Sequence, residues 1–351
     1  MSVFNGKKLR VEIYGESHAE KIGVSVKGLP PFKFDEKALD EFIARRKASG
    51  SVYSTARMEA DVPVFTGVKN GETAGDFSAE IYNLNKISKD YSALYGKPRP
   101  SHADYAWYLK DGALDFSGGG RFSARLTAPF CVAGGIIKQY LLSRGVKIES
   151  FVSSVGRVHG RSYKDGGLSA EEINKSREKG DFPSLDKKAE MLEEIKNAKV
   201  VGDSVGGVAE CCVYGLCGVG DNLFGGLEGK ISSLIYAVPA VKGVEFGDGF
   251  SLAEMRGSQA NDALRMQNGK VAVISNHAGG INGGIANGSP IAIRVAFRPT
   301  PSISLPQKTV DLTTGTDTEI IINGRHDACV VPRALPAVES AVAIAIADEI
   351  I

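Results

Sequence analysis

Histidine is the residue type in this sequence best suited to proton transfer, because its unperturbed pKa of about 6.5 lies near neutrality. Four of the five histidines lie in polar or glycine-rich stretches, "GESHA", "PRPSHAD", "ISNHAGG" and "GRHDAC". These are His18, His102, His277 and His326, whereas His159 in "GRVHGR" has the least distinctive surroundings. The segment around His18, "YGESHAEKIGVSVKGLPP", predicts a turn between two strands, and a tight turn needs Gly, Asn or Asp rather than histidine. These loops therefore hold candidate proton donors and acceptors.

Arginines form a second group, since a guanidinium can hold a phosphate or carboxylate through two parallel hydrogen bonds. The strongest pattern is "SGGGRFSAR", where three glycines precede Arg121, Ser123 and Arg125 at a predicted helix start. Free backbone N–H groups and the helix dipole favour an anion there. Further arginines lie in or beside predicted loops: Arg45, Arg46, Arg57, Arg298, Arg325 and Arg333. With the histidines, they predict an enzyme for a small, multiply anionic ligand, in which a histidinium could protonate a departing phosphate.

Two serines suggest nucleophilic catalysis as an alternative. Ser204 in "GDSVG" matches G-x-S-x-G, but that motif requires a helix next, and "GVAECCVYGL" predicts a strand. Ser17 precedes His18 directly, and adjacent strand residues point to opposite faces, so a nucleophile–base pair is not predicted there unless a turn reorients them. Two nucleotide motifs fail: Walker A is absent, and "GVGDNL" has Leu223 where a dinucleotide fingerprint needs its third glycine.

Composition limits the class of protein. The chain has 351 residues and a net charge of +1, so it offers no overall field for nucleic acid or an anionic membrane surface. Its residues are 43% hydrophobic and 24% charged, which is typical of a globular protein. The sequence shows no apolar run of about 18 residues and no cationic leader, which predicts a cytoplasmic protein without membrane contact.

The elements that must position these residues alternate without a strict βα order, which favours an α+β fold. Strands are predicted at 9–30 on both sides of His18, and a helix is predicted to begin after Asp35. Its apolar face is continued by Arg46 and consists of Leu39, Phe42 and Ile43. Residues 101–125 predict a loop, followed by an apolar helix to about residue 142. The charged segment 160–200 predicts a solvated flap or insertion.

A series of motifs resembles the chorismate synthase family. In order from about residue 9 to 345, they are "GESHAEKIGVSVKGLPP", "RPSHADY", "GGGRFSARLTA", "VKGVEFGDGF", "RGSQAND", "SNHAGGINGG" and "GRHDACVVPRALPAVESAVA". The resemblance implies one catalytic domain over residues 1–351, a β-α-β sandwich and a homotetramer. It also implies elimination of phosphate from 5-enolpyruvylshikimate 3-phosphate to give chorismate, with reduced FMN as cofactor.

The resemblance also assigns roles to residues. It implies that His18 and His102 transfer protons, and we expect His18 at the phosphate and His102 at the flavin. Asp327 would act with flavin N5 in removing the ring proton, supported by the hydroxyls of Ser17 and Ser123. The implied FMN contacts are Arg121, Ser123, Ala240, Gly283, Arg298, Thr300, Ser302 and Arg325. The implied substrate contacts are Arg46, Arg57, Arg125 and Arg333.

Several positions depart from the family pattern. Phe122, Pro239 and Pro301 each remove a polar group or backbone donor near the expected flavin. Val52 replaces an arginine that the family associates with pyridine-nucleotide binding. We therefore expect an enzyme that receives reduced FMN from an external flavin reductase and does not use NADPH itself. The alternative is a divergent, non-catalytic relative that binds flavin or phosphate.

Overall fold

Two antiparallel β-sheets enclose a layer of α-helices in the computed structural model of this chain, which describes residues 1–47, 51–54, 60–83, 94–116, 119–177, 182–322 and 326–351. The helices are α1 (Glu36–Ala44), α2 (Asp104–Asp111), α3 (Thr127–Ser143), α4 (Ala170–Lys175), α5 (Lys188–Val200), α6 (Leu227–Ile235), α7 (Gly257–Ala260) and α8 (Val331–Ile350). The strands are β1 (Ser2–Asn5), β2 (Arg10–Gly15), β3 (Lys21–Lys27), β4 (Phe32–Lys33), β5 (Val64–Lys69), β6 (Glu72–Tyr82), β7 (Lys147–Val155), β8 (Val158–His159), β9 (Gly207–Tyr214), β10 (Cys217–Gly220), β11 (Val241–Phe246), β12 (Leu264–Gln267), β13 (Lys270–Val273), β14 (Ile281–Asn282), β15 (Ile285–Asn287), β16 (Ile291–Phe297), β17 (Gln307–Asp311) and β18 (Thr316–Ile320). The α+β sandwich predicted from the sequence is confirmed.

The first sheet has one buried and one more exposed face. Its strand order is β1-β2-β3-β6-β4, with β5 also paired to β6. In β6, Phe77, Ala79 and Ile81 are buried and alternate with more exposed residues, as the period of two in a strand requires. The hairpin β2-β3 pairs Gly15 with Ile22, so the turn that carries His18 lies at one end of this sheet.

The second sheet is covered on both faces. Its order is β11-β16-β9-β7-β8, and the middle of β9 is continuously buried. The helix layer covers the inner face through α3, α6 and α8. On the outer face, Phe151 and Cys212 pack against Leu168 and Ile173. Continuous burial explains why apolar residues occupy both faces of β9 instead of alternating, with Glu210 as a buried charged exception.

Helices α3 and α8 form the centre of the molecule, with α3 against the first sheet and α8 against the second. Their close approach depends on small residues, because a methyl group built on Gly134 would overlap the side chain of Ser340. Helix α1 packs on α3 and begins as predicted, since the Asp35 carboxylate accepts hydrogen bonds from two backbone N–H groups. Among the described residues, no helix is long and apolar enough to cross a membrane.

The prediction of a loop over 101–125 is wrong in part, because α2 forms there. Asp104 lies in its first turn, and Gly112 ends it in the left-handed conformation with φ 74°. Glycine adopts this conformation without a Cβ clash, which makes it a common helix stop. The helix places His102 just ahead of its first turn.

Within residues 160–177 and 182–200, the charged segment predicted as a solvated flap or insertion carries buried apolar residues. Ile173 in α4 and both Met191 and Ile195 in α5 are fully buried. Charged residues occupy the outward faces of these helices, while the apolar ones cover the second sheet and its edge. The high overall charge hid this sparse apolar periodicity.

Candidate active site

A cavity of about 600 Å³ opens between the first sheet, the glycine-rich loop and the start of α8. Its walls also include the first residues of α3, the segment after α6 and the segment after β16. The residues predicted from the sequence that line it are Arg46, His102, Arg121, Ser123, Ala240, Arg298, Thr300, Ser302, Asp327 and Arg333. A chain with nearly neutral overall charge thus concentrates arginines around one cavity.

Other predicted site residues lie elsewhere. Ser17, His18, Arg125 and Gly283 are not part of the described cavity wall. Gly283 lies in the β14-β15 turn, whose next residue, Gly284, accepts a hydrogen bond from the first residue of α6. The cavity is lined by the C-terminal end of α6, whereas Gly283 lies near its N-terminal end. The length of this helix therefore separates Gly283 from the cavity. Two further predicted residues, Arg57 and Arg325, fall outside the described residues.

The turn that carries His18 is attached to the glycine-rich loop beside the cavity. The backbone N–H of Ser17 donates to the carbonyl of Gly120 over 3.3 Å. Ser17 Oγ and His18 Nδ1 lie 3.0 Å apart. The exception that the sequence left open applies, because β2 ends at Gly15 with φ 90° and the residues beyond it form a turn that brings the two side chains together.

His102 is oriented by a buried ion pair. Asp104 Oδ1 lies 2.5 Å from His102 Nδ1, and the same carboxylate accepts from Arg99 Nε over 2.7 Å. Arg99 Nη2 is also 3.1 Å from His102 Nδ1, but the short carboxylate contact requires the proton on that nitrogen. Nε2 of the neutral ring is therefore left as a proton acceptor. Burial would raise the pKa of Asp104, but hydrogen bonds from Arg99 and His102 outweigh it and lower the pKa to about 2.

Asp61 connects two of the predicted substrate arginines. Arg46 Nη1 donates to Asp61 Oδ2 over 2.7 Å, and Arg125 Nη1 donates to Asp61 Oδ1. Arg125 Nε also donates to Asn83 Oδ1 over 3.0 Å, and Asn83 in turn donates to the carbonyl of Ala19. All three charged side chains are nearly fully buried. Arg46 and Arg125 thus tie the cavity wall to the turn that carries His18.

Asp327 and Arg333 form an ion pair at the start of α8. Arg333 Nη1 donates to Asp327 Oδ2 over 2.5 Å, and Arg333 Nε donates to the carbonyl of Arg46 over 2.9 Å. Because Arg46 also donates to Thr127 Oγ1 in the first turn of α3, the three helices α1, α3 and α8 meet at one polar cluster. This cluster forms one end of the cavity.

The glycine-rich loop makes two 3₁₀ turns, Gly120–Phe122 and Ala124–Leu126. Ser123 caps the second turn, accepting a hydrogen bond from the backbone of Arg125. The Arg121 guanidinium lies 4.5 Å from the Trp107 ring, which also contacts Phe122 edge-on at 5.5 Å. The phenyl group of Phe122 thus helps to fix Arg121 by packing.

A phosphate-bearing cofactor fits the wall that follows β16. Burial lowers the pKa of Arg298, and within the described ranges this guanidinium pairs with no carboxylate. Thr300 Oγ1 is buried without a hydrogen-bond partner among those residues. The backbone N–H of Arg298 donates to Ala240, which adopts an uncommon φ of 72°. An anionic group bound here would satisfy both the cation and the hydroxyl.

Three residues of the site went unassigned in the sequence. Asp61 and Asp104 hold the arginines and His102, and His326 lines the cavity wall. The spacing in "SHAD" places a carboxylate two residues from His102, which is a usable signal. No such signal in the sequence marks Asp61, because its partners are distant in the chain.

The nucleophile alternative at Ser204 loses support. Ser204 Oγ donates to the carbonyl of Thr300 over 2.7 Å. Strand β9 begins at Gly207, as predicted, and the helix that a nucleophile elbow needs is missing from this described segment. The role of Ser204 is to fix the segment after β16.

The fold and site define a class of protein: an α+β sandwich with an arginine-lined cavity and a carboxylate-oriented histidine in its wall. Residues 9–351 match the family model for chorismate synthase. The chain is 41% identical to the chorismate synthase of Thermococcus kodakarensis over 351 residues, covering 99% of this chain and 97% of that protein. It is 41% identical to the Methanosarcina mazei enzyme, covering 99% and 95%. A crystal structure of a chorismate synthase superposes with a TM-score of 0.74 at 26% identity, covering 98% and 92%. The chain belongs to the chorismate synthase family.

Proposed function

We propose that this protein is a chorismate synthase that removes phosphate and a ring proton from 5-enolpyruvylshikimate 3-phosphate, with reduced FMN bound. The observation that carries the proposal is the cavity itself. It combines the guanidinium of Arg298 and the hydroxyl of Thr300, neither of which has a partner within the described ranges, with His102, which Asp104 orients. Relatives of this name match the chain over nearly its full length, which supports the same reaction.

Reduced FMN, when bound, would supply the electron density that weakens the C–O bond to phosphate. The residues proposed to hold it are Arg121, Ser123, Ala240, Arg298, Thr300 and Ser302, with Gly283 and Arg325 as further candidates from the family pattern. Of these, Arg121 and Arg298 would neutralise negative charge. We propose that a separate flavin reductase supplies the reduced FMN, because Val52 replaces the arginine that the family associates with NADPH binding. Rapid NADPH-driven reduction of FMN by the purified protein would contradict this.

The chain's own groups would handle the protons and charges of the elimination. His102 Nε2 is proposed to exchange a proton within the cavity, while Nδ1 stays bonded to Asp104. Asp327, held by Arg333, would take part in removing the ring proton. His18, with Ser17 at its Nδ1, is proposed to protonate the leaving phosphate, so that one proton leaves the ring and one joins the product anion.

The substrate anions would meet Arg333, with Arg57 as a further candidate. Arg46 and Arg125, also predicted as substrate contacts, have their guanidinium groups engaged by the buried Asp61. We therefore propose that Arg46 contributes positive charge to the cavity wall. Arg125 would be a positioning residue, which holds the wall and the turn that carries His18 in place. Removing a buried ion partner is costly, so both roles depend on Asp61.

The family also supports a homotetramer in the cytoplasm. Large apolar side chains are exposed on the described surface, among them Phe224, Phe250 and Leu264. Burying such groups between subunits is favourable at roughly 25 cal/mol per Å². Light scattering coupled to size exclusion should give the mass of four chains, and a monomer at micromolar concentration would contradict the proposal.

Phosphate release under anaerobic conditions, with photoreduced FMN, tests the function. The wild-type protein should release phosphate and produce chorismate, whereas His102→Ala should be slower by about 10²–10⁴, the usual range for a general acid–base group. His159→Ala is the matched control, because His159 is exposed in β8. Flavin binding without phosphate release at any flavin concentration would instead favour the non-catalytic relative.

A further inference from the structure

Buried polar atoms without a partner mark places where a ligand could complete the structure. Three such atoms belong to Glu210, Arg294 and Asn276, around the second sheet. There, Glu210 Oε1 and Arg294 Nε face each other at 3.5 Å, so they largely satisfy one another electrostatically. Two remain among the described residues, Thr300 Oγ1 and His326 Nε2, and both residues line the cavity. The family pattern accounts for Thr300, but gives His326 no role.

The surroundings of His326 disfavour the charged form of its ring. Burial lowers the pKa of His326, and the nearby guanidinium of Arg99 lowers it further, against a smaller opposite effect of Asp327. A neutral imidazole has one nitrogen that donates and one that accepts. It can therefore pair with an uncharged N–H or C=O group, whereas the phosphate and carboxylates of a substrate are better matched to the arginines of the same cavity.

We propose that His326 is a further cofactor-contacting residue, whose Nε2 makes a hydrogen bond to the polar edge of the flavin ring. This proposal rests on the proposed function. A flavin ring combines a flat apolar body with an edge of N–H, C=O and ring nitrogen groups. The cavity matches that combination, because His326 shares its wall with a set of apolar residues: Val11, Leu126, Phe130, Val238, Val330 and Ala334.

Flavin affinity, separate from turnover, tests the assignment. Apoprotein would be titrated anaerobically with reduced FMN, and aerobically with oxidised FMN, while free flavin is measured after ultrafiltration. His326→Ala should weaken binding about 5- to 10-fold, the loss of one hydrogen bond. His326→Gln should stay within about 2-fold of wild type, because its terminal amide presents a donor and an acceptor at a similar reach. His159→Ala should bind as wild type.

The matched apolar variant His326→Leu separates hydrogen bonding from packing and replaces His326→Ala if that protein fails to fold. Equal flavin affinity in the wild type, the Leu variant and the Gln variant would overturn the proposal. So would weakened affinity for 5-enolpyruvylshikimate 3-phosphate with unchanged flavin affinity, since the occupant would then be the substrate. If wild type releases no phosphate but flavin affinity still depends on His326, the proposed function fails and this assignment stands.

Discussion

Replacing Asp104 with asparagine tests how the protein orients His102. Asp104 accepts four hydrogen bonds: from the backbone N, Nε and Nη2 of Arg99 at 3.0, 2.7 and 2.8 Å, and from His102 Nδ1 at 2.5 Å. An asparagine amide keeps one acceptor oxygen and turns the other position into a donor. Whichever way the amide is turned, its NH₂ group would then face an N–H donor of Arg99 or of His102. The substitution keeps the shape and removes the charge.

The magnitude follows from the pKa of Asp104, which lies at about 2 against an ordinary value of 3.8. That gap corresponds to about 2 kcal/mol of stabilisation at neutral pH. Because the folded-state pKa is the lower one, this stabilisation is present above pH 3.8 and is lost as the pH falls towards 2. Arg99 is only 3% exposed, so removing the negative charge of Asp104 beside it brings the expected loss to about 3–5 kcal/mol.

Urea unfolding followed by circular dichroism, at pH 7 and constant protein concentration, measures this loss. Asp317→Asn is the control, because Asp317 is an exposed residue of β18. Phosphate release should fall by about 10²-fold or more in Asp104→Asn, since the ring of His102 loses its fixed proton position. If both variants unfolded at the same urea concentration and turned over equally, the ion pair would not position His102, and the argument would be refuted.

Three further outcomes are expected. Gly134→Ala should lower the free energy of unfolding by about 1–3 kcal/mol, because its methyl group would overlap Ser340. The control Gly229→Ala, in open space on helix α6, should raise the free energy of unfolding by about 0.5–1 kcal/mol. Equal effects of the two substitutions on urea unfolding would contradict the packing of α3 on α8. Asp61→Asn should cost about 3–5 kcal/mol in the same assay, because the negative charge that Asp61 places between two buried arginines is removed, while asparagine still tolerates the φ of 47°. The lowered pKa of His326 means that the unfolded chain binds more protons below pH of about 6.5, so stability rises with pH there; His326→Gln should flatten that rise, and an unchanged slope would exclude the burial of this ring.

Local signals in the sequence predicted much of the framework. Asp35 marked the start of α1, and the segment "GVAECCVYGL" was correctly predicted as a strand, which is β9. Motif resemblance brought together the arginines and His102 around one cavity. These features depend on neighbours within a few residues or on a family pattern, and both can be read along one chain.

The remaining features depend on contacts between distant parts of the chain. Asp61 meets Arg125 across 64 positions, and no local pattern announces that pair. Ser17 and His18 contact each other because Gly15 ends a strand, a backbone event that outweighs the alternation rule. His326 was recognised only as a loop histidine, since only the folded structure shows that its Nε2 has no partner within the part of the chain described.

The burial of α8 has a consequence for how this protein is made. Sixteen of its twenty residues are buried between the sheets, yet it follows every strand in the sequence. On the ribosome, the apolar inner faces of both sheets are therefore synthesised before the element that covers them. Until α8 emerges, the nascent chain exposes apolar surface and is prone to aggregate. We therefore expect it to bind chaperones that cover such surface.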